Sequence, residues 1–128
     1  MRLLILLLIF ITNGALAWEC DEKKGIIEIQ DVITLSEKCA ESEPTFCVIF
    51  VSAPHNIDDR AFDKFTIRNM RNNKPVGSFE IAHTRFGSNF KAEFSLDHSE
   101  REHFEISAFY VSFSHGCSIV STKSISEI

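Results

Sequence analysis

The sequence predicts an all-β protein, an antiparallel β-sandwich of about seven short strands that is stabilised by disulfides. Every second residue from Phe90 to Leu96 is apolar, and this period of two is typical of a half-buried strand. Phenylalanine, which favours strands, occurs 12 times. Short apolar runs separated by turn residues recur along the chain without a long amphipathic helical pattern, so two packed antiparallel sheets are the expected architecture.

Residues 1–17 have the features of a secretory signal peptide. Arg2 supplies the positive start, residues 3–11 form an unbroken apolar run, and Ala15 and Ala17 are small residues that suit a cleavage site. The apolar run is shorter than the roughly 20 residues that a membrane-spanning helix needs. We therefore expect a single secreted, extracellular domain over residues 18–128 and no transmembrane segment.

The charge balance argues against nucleic acid as a partner. The formal net charge is −5 at pH 7, and it becomes more negative when Arg2 is removed with the signal peptide. Phosphate backbones and anionic membrane surfaces both attract basic proteins, so neither is the expected partner of an acidic domain.

Four cysteines follow the signal peptide: Cys20, Cys39, Cys47 and Cys117. An even number in a secreted chain predicts two disulfides, and four cysteines allow three pairings that the sequence alone does not distinguish. We favour Cys39–Cys47, which closes a short polar loop, and Cys20–Cys117, which joins the two ends of the domain. A zinc site is the competing interpretation, but there is no Cys-x-x-Cys pair and the spacings fit no zinc ribbon.

Two apolar segments in the first half of the domain are predicted strands. Residues 25–35 predict one strand with Ile27, Ile29 and Val32 facing inward. Residues 45–52 are apolar on both faces, which is typical of a central strand, and Pro54 ends it because proline cannot donate to the hydrogen-bond ladder. A polar loop is expected over residues 55–63. Further strands are expected at 65–69, 76–83 and 117–124, with turns at 72–75 and 85–88.

The strongest strand signal lies in residues 89–113. Residues 89–96 and 103–113 both have strand patterns, and the six polar residues between them are enough for a hairpin loop. The second segment becomes apolar on both faces from Phe109 onward. We therefore predict that the two segments pair as an antiparallel hairpin whose second strand is central in its sheet.

Three carboxylates, Asp58, Asp59 and Asp63, lie in one predicted loop and could supply oxygen ligands to calcium. A solvated acidic loop with Arg60 and Lys64 as partners is the favoured interpretation, because no Asp-x-Asp-x-Asp pattern is present.

Two histidines, His98 and His103, flank the turn of the predicted hairpin. They could approach each other as metal ligands or as a pH-sensitive pair, but neither has an evident third ligand. Two exposed loop histidines are therefore the favoured interpretation.

The sequence contains no recognisable catalytic set. Gly-x-Ser-x-Gly, His-Glu-x-x-His and a phosphate-binding glycine loop are all absent from it. The cysteines are expected to be oxidised, which disfavours a Cys–His nucleophile. We therefore expect a non-enzymatic protein without a cofactor, and calcium at the three aspartates is the alternative to that expectation.

Several segments, taken in order, resemble the N-terminal, C2-like domain of Notch ligands of the Delta/Serrate/Jagged type. The matching pieces are Gly-Ile-Ile-Glu-Ile at 25–29, Cys39 before the aromatic strand 45–50, Pro-Val-Gly at 75–77, and the Phe-rich strands 92–96 and 104–109. The family's usual hairpin Trp is absent, because the only Trp is Trp18, and the cysteine-rich module and EGF repeats of such ligands have no counterpart here. The resemblance implies a C2-type sandwich whose edge loops meet phospholipid or a receptor.

We expect a secreted binding or signalling module whose partner is an extracellular protein or receptor, ahead of a lipid. The candidate surfaces are two loops, since scaffold strands are committed to the core. The candidate contact residues are His55, Asp58, Asp59 and Arg60 in the first loop, and His98, Glu100 and Arg101 in the second. The alternative is a lipid- or small-ligand-binding β protein whose Phe-rich interior encloses a cavity of roughly 300 Å³ or more. A small secreted hydrolase is the third class.

Overall fold

The structure, a computed structural model, describes residues 25–41, 45–112 and 117–128. The predicted signal peptide and Cys20 lie outside the described residues. The strands are Ile26–Ile29 (β1), Thr34–Cys39 (β2), Phe46–Pro54 (β3), Asn56–Ile57 (β4), Arg60–Arg71 (β5), Lys74–Ile81 (β6), Thr84–Phe86 (β7), Asn89–Asp97 (β8), Phe104–Val111 (β9) and Ser118–Ser124 (β10). Two short 3₁₀ helices, His98–His103 and Ile125–Glu127, follow β8 and β10.

The strands form two sheets around one core. The larger sheet has the order β1-β10-β9-β5-β4, with β6 also paired to β5, and the smaller sheet has the order β2-β3-β8-β7. The pairing of β1 with β10 is parallel, and the other strand pairs are antiparallel. The predicted all-β sandwich is thus confirmed, with ten described strands in place of about seven. In the described ranges, no helix is long and apolar enough to cross a membrane.

The core fills the space between the sheets with aliphatic and aromatic side chains. Ile49 on β3 belongs to the same buried cluster as Phe65 on β5 and Ile106 on β9, and all three are fully buried. The ring of Phe62 lies 4.6 Å, centroid to centroid, from the rings of both Phe65 and Phe90. These three rings therefore pack against one another and join β5 of the larger sheet to β8 of the smaller one.

The prediction of one strand over residues 25–35 is wrong. This segment contributes β1 to the larger sheet and β2 to the smaller one. The chain turns at Asp31, which has a positive φ of 61°. Alternation would place this carboxylate on the same inward face as Ile29 and Ile33, where its charge could not be solvated, so the chain leaves the sheet there.

The prediction that residues 89–113 form a hairpin is also wrong. β8 pairs with β3 and β7 in the smaller sheet, whereas β9 pairs with β10 and β5 in the larger sheet. The 3₁₀ helix His98–His103 carries the chain from one sheet to the other and is capped by the Asp97 side chain. β9 lies between β10 and β5, so the prediction that it is central in its sheet is confirmed. The predicted pairing failed because alternation identifies the buried face of a strand but not its neighbours.

The polar loop predicted over residues 55–63 is a tight hairpin of β4 and β5. Asn56 pairs with Ala61 and Ile57 with Arg60, which leaves Asp58 and Asp59 as the turn. Asp58 adopts a positive φ of 52°, a conformation that Asp tolerates better than most residues. The polar composition of residues 55–63 predicted a loop. The turn itself takes only Asp58 and Asp59, and most of the other residues lie in β4 and β5.

Candidate functional site

The outward surface of the smaller sheet carries a cleft of about 860 Å³. We call this surface the outer face. The cleft is lined mainly by outward side chains of all four strands: Thr34, Ser36, Phe50, Ser52, Thr84, Asn89, Lys91 and Glu93. One aromatic ring is thus surrounded by hydroxyl, amide and charged groups.

Strand register places these side chains in rows across the sheet. Ser52 on β3 is directly opposite both Thr34 on β2 and Lys91 on β8, and Lys91 is in turn opposite Thr84 on β7. Directly opposed residues point to the same face of a sheet. The polar row therefore crosses the whole width of the outer face.

An apolar stripe runs along β3 on the same face. Phe46 and Phe50 are 54% and 39% exposed, and the half-buried Val48 lies between them. Acidic residues flank the stripe on β8, where Asp97 is opposite Phe46 and Glu93 is opposite Phe50. Exposed apolar residues with a charged rim are typical of a surface that contacts another protein.

A third exposed aromatic residue of the outer face, Phe86, lies on the edge strand β7. Phe86 is 69% exposed, and Lys91 Nζ lies 4.4 Å from the centroid of its ring. This distance is within the range of a cation–π contact. The contact positions the Lys91 ammonium at the rim of the outer face.

The residues predicted in the first loop are spread over the β4–β5 hairpin. His55 precedes β4, and its Nδ1 lies 2.8 Å from the carbonyl oxygen of Ser88. Asp58 and Asp59 form the turn, whereas Asp63 is an exposed residue of β5. In the part of the chain that the structure describes, these three aspartates are not a group whose ligand atoms converge, and calcium binding stays a prediction.

Arg60 was expected to be an exposed contact residue of this loop, and the structure corrects that expectation. It is 9% exposed, and its Nε donates a hydrogen bond to the carbonyl oxygen of Cys117 at 2.9 Å. Because Arg60 begins β5 with its side chain directed inward, its guanidinium joins β5 to the start of β10.

The residues predicted at the second loop contact other parts of the chain. Glu100 Oε2 accepts a hydrogen bond from Arg71 at 2.8 Å, and Arg101 forms an ion pair with Glu37 of β2. Both side chains thus hold the 3₁₀ helix against the sheets. A partner that bound either charge would have to compete with these contacts.

His98 and His103 lie at opposite ends of the first 3₁₀ helix. A rise of about 2 Å per residue separates them by about 10 Å along the helix axis. His98 Nδ1 instead approaches Cys47 Sγ at 3.9 Å, and His103 Nε2 lies 3.7 Å from Glu102. The helix therefore prevents the two histidines from acting as a pair.

The predicted Cys39–Cys47 disulfide is confirmed. It joins residues that are directly opposite each other on β2 and β3. Cys117 is also disulfide-bonded, and its predicted partner Cys20 lies outside the described residues. The bridge that the structure describes therefore fixes the edge strand β2 to the centre of the smaller sheet.

The outer-face aromatics were missed in the sequence because their strand looked like a fully buried one. Residues 45–52 are apolar on both faces, yet a two-layer sandwich buries only one face of each sheet. The available signal was a strand with apolar residues on both faces in a two-layer sandwich. One of those faces has to point outward, and it is the face that carries Phe46 and Phe50.

No family model, curated protein or solved structure matched the chain. The resemblance to the N-terminal domain of Notch ligands therefore stays a prediction from the sequence segments that carry it.

Proposed function

We propose that this protein is a secreted, non-enzymatic binding module that holds an extracellular protein partner on its outer face. The observation that carries the proposal is the exposed apolar stripe of Phe46, Val48 and Phe50. Large aromatic side chains supply much of the energy of protein interfaces when a partner excludes water from them. Two exposed phenylalanines on one strand lower the solubility of a protein unless a partner covers them.

The scaffold beneath the stripe favours binding without rearrangement. β3 is paired along its length with β8 and along six residues with β2, and its inward residues Ile49 and Val51 are buried. Ordered strands lose little conformational freedom on binding, so more of the contact energy appears as affinity. The outer face is therefore a pre-organised surface.

The chemistry of the outer face favours a protein partner over a lipid. Phe46 and Phe50 alternate with charged and hydroxyl-bearing neighbours on β2 and β8, a mixture that suits a polar rim around aromatic anchors. A receptor ectodomain is the partner class, in keeping with the sequence resemblance to Notch ligands. The rings of Phe65, Phe90 and Tyr110 pack around Phe62 in the interior. This part of the interior therefore gives no support to the alternative of an internal lipid cavity.

The test is a binding screen of the purified chain against extracellular receptor ectodomains, Notch ectodomains included. For the partner found, the double variant Phe46→Ala with Phe50→Ala should weaken binding by about 30-fold or more, since two anchors at an interface each contribute about 1–2 kcal/mol or more. Affinity is measured by surface plasmon resonance, with circular dichroism to confirm the fold.

The matched control is Phe79→Ala, because Phe79 is also 54% exposed but lies on β6 of the larger sheet. Its affinity should equal that of the unaltered protein. The proposal fails if the Phe46–Phe50 variant binds normally, or if Phe79→Ala weakens binding to the same extent.

A further inference from the structure

One end of the smaller sheet brings together four side chains with metal-binding atoms. Glu37 and Cys39 lie on β2, Cys47 lies on β3, and His98 begins the first 3₁₀ helix. One ligand atom from each of the four lies within 4.8 Å of the others. Two sulfurs, an imidazole nitrogen and a carboxylate oxygen form a donor set of the kind that binds Zn²⁺. We call this group the β2–β3 corner.

Regular backbone contacts hold each of these residues in place. Cys39 is directly opposite Cys47 in the strand register, and Glu37, two residues before Cys39, points to the same face. The His98 backbone N–H donates to the carbonyl oxygen of Thr45 at 2.6 Å. The positions of the four side chains therefore follow from strand pairing and from the start of a capped helix.

The charges of the β2–β3 corner suit a divalent cation that is bound by two thiolates. Glu37 forms an ion pair with Arg101, and both side chains are mostly buried, at 23% and 18% exposure. The charges of Zn²⁺, two thiolates, one carboxylate and the Arg101 guanidinium cancel. A neutral total limits the cost of burying these charges, and Arg101 could still donate to Glu37 as an outer-sphere partner.

The two sulfurs are joined in the structure as the Cys39–Cys47 disulfide, and zinc binding needs thiolates. A dithiol reductant supplies the two electrons. Its thiolate attacks Sγ of the partly exposed Cys39, the S–S bond breaks, and the buried Cys47 leaves as a thiolate beside His98. The second thiol of the reductant then releases Cys39 and closes the reductant's own disulfide.

We propose that the β2–β3 corner is a redox-gated zinc site. In the oxidised chain Cys39 and Cys47 form a structural bridge. After reduction, Zn²⁺ binds through Cys39, Cys47, His98 and Glu37, and the thiol protons pass to solvent as the metal binds. The same four residues thus tie β2 to β3 by a covalent bond in one state and by a metal in the other.

The test compares metal binding by the oxidised and the dithiol-reduced protein. Co²⁺ is the spectroscopic probe, because its absorption reports tetrahedral thiolate coordination, and Zn²⁺ should displace it. The reduced protein should bind one equivalent and the oxidised protein none. His98→Ala and Glu37→Gln should each weaken Zn²⁺ binding by about 10-fold or more, since even the loss of an outer-sphere partner costs 10–100-fold.

His103→Ala is the matched control, because it removes a histidine from the other end of the same helix, and it should bind Zn²⁺ like the unaltered protein. The double variant Cys39→Ala with Cys47→Ala should show no thiolate–cobalt absorption after reduction, which excludes binding by other cysteines. Zinc-dependent recovery of circular dichroism would support the site even if the reduced chain unfolds without metal. No cobalt absorption by the reduced protein, or unchanged affinity in the His98→Ala or Glu37→Gln variant, would overturn the proposal.

Discussion

At the scale of single residues, Tyr110 joins the two sheets through one hydrogen bond. Its hydroxyl donates to the carbonyl oxygen of Pro54 at 2.7 Å, from β9 of the larger sheet to the end of β3 in the smaller one. The residue is fully buried, and burial raises the pKa of the phenol well above its usual value. The folded protein thus holds the phenolic proton more tightly than the unfolded chain does.

We predict that Tyr110→Phe lowers the free energy of unfolding by about 1–3 kcal/mol at pH 7, because the Pro54 carbonyl loses its donor. The raised pKa gives the unaltered protein a stability that is complete below pH 10 and falls as pH rises through the folded pKa. The variant should lack this component of the alkaline loss. Denaturant titrations between pH 7 and 11 measure both effects, and parallel pH profiles would contradict the prediction.

Tyr110 is the only tyrosine in the chain, which makes its ionisation directly observable. Tyrosinate absorbance in the unaltered protein should appear with unfolding, at a higher pH than in the denatured chain. Titration at the usual tyrosine pKa with the fold intact would show that the phenol is not buried.

Asp97 caps the first 3₁₀ helix at the point where the chain changes sheets. Hydrogen bonds from the Ser99 backbone N–H and then from the Ser99 hydroxyl lower the pKa of the Asp97 carboxyl. A lowered pKa means that the folded state favours the ionised form. The resulting stability is present above the usual value of 3.8 and is lost as pH falls through the folded pKa.

We predict that Asp97→Asn reduces stability slightly at pH 6, because asparagine still caps the helix but carries no charge. The difference between the two proteins should shrink as the pH is lowered to 3 and below. Thermal unfolding across this range is the measurement. A difference that is constant with pH would mean that the charge of Asp97 has no part in the cap.

At the scale of strands, the paired strands β5 and β6 provide a direct comparison of buried and exposed phenylalanine. Phe65 on β5 is fully buried, whereas Phe79 on β6 is 54% exposed. We predict that Phe65→Ala lowers the free energy of unfolding by about 3–5 kcal/mol, and that Phe79→Ala changes it by about 0.5 kcal/mol or less. Urea denaturation midpoints compare the two, and similar shifts would show that β6 is covered by other parts of the chain.

The sequence predicted where strands lie better than which strands meet. Alternation in residues 89–96 correctly identified a half-buried strand, β8, because burial of one face imposes the pattern locally. The predicted partner of β8 was wrong because a stretch of six polar residues can either close a hairpin or carry the chain from one sheet to the other. The choice depends on the competing pairing of β8 with β3, which joins residues distant in sequence.

The candidate site was predicted less well than the fold for a related reason. Cys39 and Cys47 could be paired from their short separation, which is a local property. The outer face depends on which strands of the smaller sheet are adjacent, and no local pattern specifies that Ser52 is opposite Lys91. Arg60 was misplaced because its burial depends on the Cys117 carbonyl, far along the chain.

At the scale of the whole molecule, the Cys39–Cys47 bridge closes a short loop, with a sequence separation of 8. Chain entropy predicts that such a loop contributes about 2–3 kcal/mol. We predict that the double variant Cys39→Ala with Cys47→Ala loses about this much stability in urea denaturation. A singly altered chain, Cys39→Ala, serves as the control for the free Cys47 thiol. An unchanged denaturation midpoint in the double variant would contradict the prediction.

The parallel pairing of β1 with β10 has a consequence for how the protein is made. Ile26 lies opposite Ser118. β1, the first described strand, therefore cannot pair until β10, the last described strand, has been made. During synthesis, one edge of β9 therefore stays unpaired until β10 has emerged from the ribosome. Contacts between such distant residues slow folding, and exposed strand edges favour aggregation. The pairing of β1 with β10 is thus a late step in folding, and the edge of β9 is open to aggregation until β10 has paired with it.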